Sequence, residues 1–324
     1  MLLRKVVCRV WTPASQWVPQ CRKATTIVTH ARIGVLGAPF EKGQKHAGVA
    51  QGPSALRKTG FLSALTERGL DVLDYGDVRE DLSTSTSSTT SSSGGGGGGG
   101  GQYSTGPEGE KDFYRVLEYN KKLAVAVADV LRDDRLCVTL GGDHTIAIGT
   151  IAGHAASLAP HQKVSVLWVD AHADINTGAS SHTSHMHGMA AGFHMAELQH
   201  SNLPCGFPQS SLNVAQIAYI GLRDVDVAEA NSRVQLNAEV LNRRRRCAEL
   251  VAHANRAGRK LITAGMMGGL TVREGCVALE AARATGHLRA LDLVEVNPSL
   301  ADTRGVATTT LAARTLLYAA LSGH

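Results

Sequence analysis

Three absences narrow the classes of protein to which this 324-residue chain can belong. None of its six cysteines lies in a C-x-x-C pair, so a reducing compartment fits better than a disulfide framework. No run of 18 apolar residues exists, so a membrane span is not expected. With 43% hydrophobic and 19% charged residues, the chain can still form the large core of one α/β domain.

The third absence is of acidic residues at the N-terminus, where none precedes Glu41. Basic residues occur there among apolar and hydroxyl residues, at positions 4, 5, 9, 22, 23 and 32. This composition resembles that of a mitochondrial transit peptide. We therefore expect residues 1–30 to be a mitochondrial targeting segment, or else a disordered extension of a cytoplasmic protein. A single domain is expected over residues 31–324.

Two other segments have no expected function. Residues 83–107 contain a Ser/Thr tract followed by eight glycines at 94–101. Such a tract buries too little to offset the entropy of ordering it, which predicts a disordered surface insert. Arg243 to Arg246 form a basic run in a helix-like segment. A solvated helix face is favoured there over a nucleic-acid patch, so no nucleic-acid partner is expected.

Residues able to bind a metal alternate in the segment WVDAHAD, residues 168–174. Asp170, His172 and Asp174 follow an apolar run that begins at Val164. Alternate residues of a strand lie on one face, so the three side chains can converge on one point.

A second predicted strand, residues 135–140, leads into GGDH at 141–144. Its two glycines allow a turn and a close backbone approach. Ligands bind at the carboxyl ends of strands in an open parallel sheet, and mixed imidazole and carboxylate donors suit manganese or zinc. Taken singly, Asp143 would be a turn residue and His144 a core histidine. Nine of the 14 histidines lie between His144 and His200, which agrees with a metal site.

The pattern of apolar segments predicts alternating strands and helices. We expect strands at 31–36, 70–75, 135–140, 164–170, 215–221 and 288–294, and helices at 53–68, 111–132, 145–158, 188–198, 238–257 and 304–322. This alternation is typical of an α/β protein with a parallel sheet and helices on both faces.

Several segments resemble the signature sequences of the arginases, manganese-dependent ureohydrolases that convert L-arginine and water to L-ornithine and urea. They are GGDHTIAIGT (141–150), WVDAHADINT (168–177) and SSHTSHMHGMAAG (180–192), with weaker similarity at 33–60, 217–226, 268–275 and 291–300. The resemblance implies the three-layer fold of the arginases and deacetylases.

The resemblance also implies a reaction centre with two Mn²⁺ ions per subunit. Guanidinium is a delocalised cation that neutral water attacks poorly, whereas a metal pair lowers the pKa of a bridging water. Asp174 would also hold the bridging hydroxide, Glu295 would pair with the guanidinium, and His187 would shuttle a proton to the leaving amine. Alone, Glu295 would be a strand-end residue and His187 a surface histidine. The implied metal ligands are His144, Asp170, His172 and Asp174.

Substrate and subunit contacts follow from the same resemblance. Asn176 and Thr183 match positions that bind the α-carboxylate of arginine, and Asp226 and Glu229 match positions that face its α-amino group. These matches favour arginine over agmatine, which has no α-carboxylate, although Asp226 alone would be equally well explained as a turn residue. Arg273 and Glu274 match a subunit contact, which implies a homotrimer.

One departure from the family pattern lies between residues 227 and 267. The family has a strand there that ends in an Asp-x-Asp pair of metal ligands, whereas this segment contains no aspartate. Losing two ligands should weaken the binding of the second ion, since disturbing even an outer partner costs about 10- to 100-fold in affinity. Losing the strand should leave a gap in the sheet or force new pairing.

Three functions therefore stay open. The first is an arginase-type hydrolase with impaired activity. The second is a non-catalytic arginase-like subunit, from a splice form or a degenerate paralogue. The third is an agmatinase-like ureohydrolase.

Overall fold

A single mixed sheet organises the described part of the chain. The structure, a computed structural model, describes residues 5–12, 32–80, 105–160, 162–198, 207, 212–230, 240–241, 262–264, 270–300 and 302–322. The strands are β1 Lys5–Thr12, β2 Arg32–Ala38, β3 Asp71–Asp77, β4 Leu136–Gly141, β5 Lys163–Val169, β6 Ile217–Ile220, β7 Val240–Leu241, β8 Ile262–Ala264 and β9 Leu288–Val294. Their order in the sheet is β3-β2-β4-β9-β1-β8-β5-β6-β7.

Pairing in the described sheet is parallel except where β1 takes part. The parallel pairs are β2/β3, β2/β4, β4/β9, β5/β6, β5/β8 and β6/β7. Parallel strands are buried on both faces, which explains why β4 and β5 are nearly continuous apolar runs. The predicted parallel sheet is therefore confirmed, with one antiparallel strand that was not expected.

The antiparallel strand β1 lies between β9 and the β5/β8 pair. Its register with β5 runs from Val6 opposite Val169 to Thr12 opposite Lys163, and Lys5 lies opposite Val294 of β9. These eight residues belong to the segment that we set apart as a leader or extension, yet they pair with the central strands. The role of residues 1–30 in targeting stays a prediction.

Six helices that lie wholly within the described residues flank the sheet: α1 Gly52–Arg57, α2 Phe61–Glu67, α3 Phe113–Arg132, α4 Ile146–Ala156, α5 Val272–Ala284 and α6 Thr303–Leu321. One group consists of α3 packed on α4, and the other of α6 packed on α1 and α5. The helix predicted at 53–68 is divided into α1 and α2 at Gly60, whose φ is 72°. No helix in this part of the chain is long and apolar enough to cross a bilayer.

The close approach of α3 and α4 depends on a glycine. The Gly149 amide donates to Asn120 Oδ1 at 2.8 Å, and a Cβ at Gly149 would lie 2.4 Å from the Asn120 carbonyl oxygen. Helix α4, which is buried from Ile146 to His154, therefore packs its backbone directly against α3. Because α4 begins immediately after GGDH, this packing fixes the end of β4 that carries His144.

The helix predicted at 188–198 is wrong. The structure has three short 3₁₀ turns instead, Met186–Gly188, Gly192–His194 and Ala196–Leu198. The amides of Ala191 and Gly192 donate to the Asp174 carbonyl oxygen at 2.9 and 3.0 Å. The two amides are therefore not available for the hydrogen bonds of a regular helix, in which each amide donates to the carbonyl oxygen four residues earlier.

Four strands and helices were not predicted: β1, β7, β8 and α5. Helix α5 begins at a capping box, in which Thr271 and Glu274 each bond the other's backbone amide. The predicted helix 238–257 lies outside the described residues except at Val240–Leu241, which form β7. Most of the predicted insert, residues 83–104, also lies outside them.

Candidate metal centre

The carboxyl ends of β4 and β5 bring three predicted ligands together. His144 follows β4 by three residues, and Asp170 directly follows β5. One potential ligand atom each from His144, Asp170 and Asp174 lies within 4.8 Å of the others. All three side chains are buried, at 0%, 0% and 1% exposure. Residues separated by up to 30 positions in the sequence thus form one compact group of donors.

The imidazole of His144 lies at the centre of this group. Its Nδ1 atom is 2.9 Å from Asp170 Oδ2 and 2.6 Å from Asp174 Oδ2. The ring packs on Trp168, with centroids 4.3 Å apart. One nitrogen and two carboxylate oxygens at one point are a donor set that suits Mn²⁺ or Zn²⁺. The residues therefore fit a divalent cation.

Backbone geometry directs the third ligand inward. Asp174 has a φ of 50°, in the left-handed region that non-glycine residues adopt infrequently. Its carbonyl oxygen accepts two amides from the loop at 191–192. The strand geometry that predicted convergence ends at Val169, so these loop hydrogen bonds, and not strand alternation, place the Asp174 carboxylate.

The fourth predicted ligand, His172, lies outside the compact group. Its side chain is 37% exposed, and its Nδ1 is 3.0 Å from Asp170 Oδ1, the oxygen that faces away from His144. Its Nε2 is 3.2 Å from Asp224 Oδ2. Asp170 thus contacts one histidine with each of its oxygens, and the two histidines lie on opposite sides of it.

Glu295, the predicted partner of the guanidinium, begins the loop after β9. Its φ is 60°, and its amide donates to the Gly142 carbonyl oxygen at 2.8 Å. Its Oε1 accepts from the His144 amide at 3.2 Å, and its Oε2 accepts from Gln44 Nε2 at 2.9 Å. The carboxylate is therefore held in place beside the metal ligands. Sequence reasoning did not identify Gln44, which lies in the segment similar to the family's first loop.

His187, the predicted proton shuttle, lies beside Glu295. Its Nδ1 is 3.9 Å from Glu295 Oε1, and its side chain is 34% exposed. Its amide donates to the Gly43 carbonyl oxygen at 3.0 Å, which ties this loop to the one that carries Gln44. The half-buried imidazole of His187 therefore lies next to the carboxylate that is predicted to bind the guanidinium, and it is partly exposed to solvent.

Asp143 is a buried carboxylate that joins the segments on either side of the site through hydrogen bonds. Its Oδ2 accepts from the Gly43 amide at 2.7 Å, and its Oδ1 accepts from the amide and hydroxyl of Thr145. Burial, and next the charge of Glu295, raises the pKa of Asp143 to about 7. Beside it, Gly142 has no room for a side chain, since a Cβ would lie 1.8 Å from the Phe40 carbonyl oxygen. The GGD sequence therefore joins β4 to the loop at 40–44.

Two of the predicted substrate contacts lie together. Asn176 Nδ2 donates to Asp226 Oδ2 at 2.8 Å, and Ser180 Oγ donates to Asn176 Oδ1 at 2.8 Å. Thr183 is exposed, and its carbonyl oxygen accepts from Lys111 Nζ at 2.8 Å. The nearby His185 has its pKa lowered, by burial first and then by Lys111 and Lys45. These cations surround the loop that carries Thr183.

Glu229, which was predicted to face the substrate, is buried. It is 3% exposed, and its carboxylate accepts from the amides of Ile175 at 3.2 Å and Asp226 at 3.4 Å. Burial, and next the charges of Asp174 and Asp226, raises the pKa of Glu229 to about 7. Its contacts therefore connect the Asp174 loop to the loop after β6.

The predicted subunit contact lies at the start of α5. Arg273 is exposed, and the Glu274 carboxylate accepts from the Thr271 amide at 2.8 Å as part of the capping box. Both residues are far along the chain from the donors of the metal centre.

Comparison with known proteins identifies related chains. The model of the Arginase family matches residues 31–259 and 262–322. The hepatic arginase of Aquarana catesbeiana is 35% identical over 305 residues, covering 85% of this chain and 87% of that protein. The mitochondrial arginase-2 of Homo sapiens is 35% identical over 315 residues, covering 86% and 81%.

Solved structures share the fold. The arginase of Bacillus caldovelox has a TM-score of 0.70 and 25% identity, covering 91% of this chain and 99% of that one. An arginase of Entamoeba histolytica, solved with L-ornithine, has a TM-score of 0.69 and 20% identity, covering 90% and 99%. The second match supports the three-layer fold alone.

Proposed function

Because the chain belongs to the arginase family, we propose that it hydrolyses L-arginine to L-ornithine and urea at the centre formed by His144, Asp170 and Asp174. The convergence of these three buried donors beside Glu295 is the observation that carries the proposal. His172 completes the proposed ligand set through its contact with Asp170. Bound manganese would supply a water of lowered pKa as the nucleophile.

Protein groups would perform the remaining steps. The Glu295 carboxylate, held by Gln44 and the His144 amide, pairs with the guanidinium and fixes its carbon next to the metal ligands. Asp174 accepts a hydrogen bond from the attacking water. His187 donates a proton to the leaving amine nitrogen, a role to which the histidine side chain is suited because it can both hold and release a proton near neutral pH.

Recognition of the amino-acid end of arginine would use the group around Asn176. Asn176 and Thr183 offer donors to the α-carboxylate, and the neighbouring cations Lys111 and Lys45 favour an anion there. Asp226 faces the α-amino group, and the carboxylate of Glu229 accepts a hydrogen bond from the Asp226 amide. This arrangement favours arginine over agmatine.

We further propose that activity is impaired. Residues 227–267 contain no aspartate, and the match to the family model is interrupted between residues 259 and 262. Both observations support the absence of the Asp-x-Asp ligands. The chain would then bind one ion more tightly than the second. The same observations favour a second candidate function, that of a non-catalytic subunit.

Location and assembly complete the proposal. A mitochondrial location is supported by the composition of residues 1–30 and by similarity to a mitochondrial arginase-2. A cytoplasmic location is the alternative. A homotrimer with Arg273 and Glu274 at the contact rests on the family resemblance.

The experiment is urea release by the purified chain with Mn²⁺, measured together with metal content. We expect about one tightly bound ion per chain and weak turnover that His144→Ala abolishes. Asp129→Asn, an exposed carboxylate on α3 bonded to Arg132, is the matched control.

Three outcomes would change the proposal. Two bound ions with robust turnover would refute impairment. Metal binding without turnover would support the non-catalytic subunit. Faster turnover of agmatine than of arginine would refute the assigned substrate.

A further inference from the structure

His172 lies between two carboxylates. Its Nδ1 is 3.0 Å from Asp170 Oδ1, and its Nε2 is 3.2 Å from Asp224 Oδ2. The two ring nitrogens point in different directions, so each carboxylate contacts its own nitrogen. Only one of these carboxylates, Asp170, belongs to the compact group of metal-binding residues in the described structure.

The loop that carries Asp224 is fixed to the segment that carries His172. The amides of Arg223 and Asp224 both donate to the Ala171 carbonyl oxygen, at 3.0 and 3.1 Å. Ala171 is 1% exposed and separates Asp170 from His172 in the sequence. These backbone hydrogen bonds therefore hold Asp224 opposite the imidazole independently of the contacts of its side chain.

The contact contributes little to stability. The side chains of His172 and Asp224 are 37% and 49% exposed, and exposed ion pairs contribute little to the stability of a protein. A hydrogen bond to one ring nitrogen has a larger consequence for histidine chemistry, because it determines which nitrogen carries the proton and which keeps its lone pair. Partners of this kind typically change metal affinity by about 10- to 100-fold.

We propose that Asp224 is a positioning residue for His172. Its carboxylate accepts the Nε2 proton, which leaves the lone pair of Nδ1 directed toward Asp170 and available to a divalent cation held there. The inference rests on the proposed function because that function supplies the cation. The hydrogen bond between His172 and Asp224 does not depend on a cation. Sequence reasoning assigned Asp226 and Glu229 in this loop and no role to Asp224.

The test compares Asp224→Ala, which removes the acceptor, with Asp224→Asn, which keeps an amide oxygen in its place. In Mn²⁺ titrations of the full chain, we expect Asp224→Ala to weaken affinity by about 10- to 100-fold. Asp224→Asn should lose less than about tenfold, since a neutral acceptor still holds the ring. Asp129→Asn, the same charge change at an exposed site on α3, should leave affinity unchanged.

A second readout does not need metal. Nitrogen NMR of the histidine side chains in metal-free protein, at about pH 8.5 where an ordinary imidazole is neutral, reports the tautomer. Signals of His172 are identified by their loss in His172→Gln. We expect a proton on Nε2, which faces Asp224, in the parent chain, and its loss in Asp224→Ala, where the ring should keep a proton only on Nδ1, the nitrogen that faces Asp170.

The outcomes separate this inference from the proposed function. Unchanged Mn²⁺ affinity together with an unchanged tautomer in Asp224→Ala would overturn it. If the parent chain binds no Mn²⁺, the proposed metal centre fails, and the tautomer alone then decides whether Asp224 positions His172.

Discussion

The two sides of the sheet differ in how firmly they hold their part of the candidate metal centre. On one side, β2, β4 and β9 pair in parallel over long registers, from Ile33 opposite Leu136 to Ala38 opposite Gly141. On the other side, β5 pairs with β6 at Val166 and Leu167. The first side supplies His144 and Glu295, and the second supplies Asp170, His172 and Asp174. The centre spans both sides, so its integrity depends on the side with the shorter parallel ladders.

The antiparallel strand β1 connects the two sides. Its pairing with β5 covers Lys163–Val169, whereas β8 pairs with β5 at Trp168 and Val169. Backbone groups at the side of a buried strand must be paired with another segment. The N-terminal segment pairs with β5 here, and the second side of the sheet therefore depends on residues far from it in sequence.

The largest effect is expected from breaking β1. Val7→Pro together with Cys8→Pro removes consecutive amide donors, which in a strand point toward opposite neighbours. Hydrogen exchange should accelerate in β5 by on the order of tenfold or more, while β2 and β4 keep their protection. Val7→Ala with Cys8→Ala is the control. Equal acceleration on both sides of the sheet would show that the comparison is wrong.

A more local effect, confined to the candidate metal centre, is expected from removing one ligand. Asp170→Asn should lower Mn²⁺ affinity by more than about 100-fold, because Asp170 contacts both histidines. Asp143→Asn is the matched variant, since Asp143 is equally buried, adjacent to His144 and outside the ligand group. Its loss should stay within about 100-fold. Equal losses in equilibrium metal binding would argue against the assigned ligands.

The smallest effect concerns how stability depends on pH through Glu229, which lies on the β5 side of the sheet. Burial raises the pKa of Glu229 from 4.5 to about 7, so the folded chain without metal holds a proton that the unfolded chain releases. The stability from this proton is present below about pH 4.5 and is lost as pH rises through about 7. Glu229→Gln should therefore reduce the fall in unfolding free energy across that range by about 1–3 kcal/mol.

Denaturant unfolding in the presence of chelator at several pH values measures this change. Glu67→Gln, an exposed carboxylate on α2, serves as the control. An identical pH dependence in Glu229→Gln and the parent chain would contradict the assigned burial effect.

Local patterns predicted the buried strands and the long helices well. The strands β4, β5 and β9 and the helices α3, α4 and α6 lie within a few residues of their expected bounds. The helix predicted at 188–198 is wrong because the pattern of small and apolar residues there is typical of a helix, whereas the amides of Ala191 and Gly192 donate to the carbonyl oxygen of Asp174. A distant acceptor of this kind leaves no signal in a local window.

The sequence by itself determined the alternation of strands and helices and the positions of candidate donors after β4 and β5, because residue type and spacing act over a few neighbouring positions. The family was identified by the resemblance of whole motifs. Only the tertiary structure decided that β1 enters the sheet, that Gln44 holds Glu295 and that Asp224 faces His172. Each of these contacts joins segments that are distant in sequence, and their partners are selected by which backbone and side-chain groups the completed fold brings together.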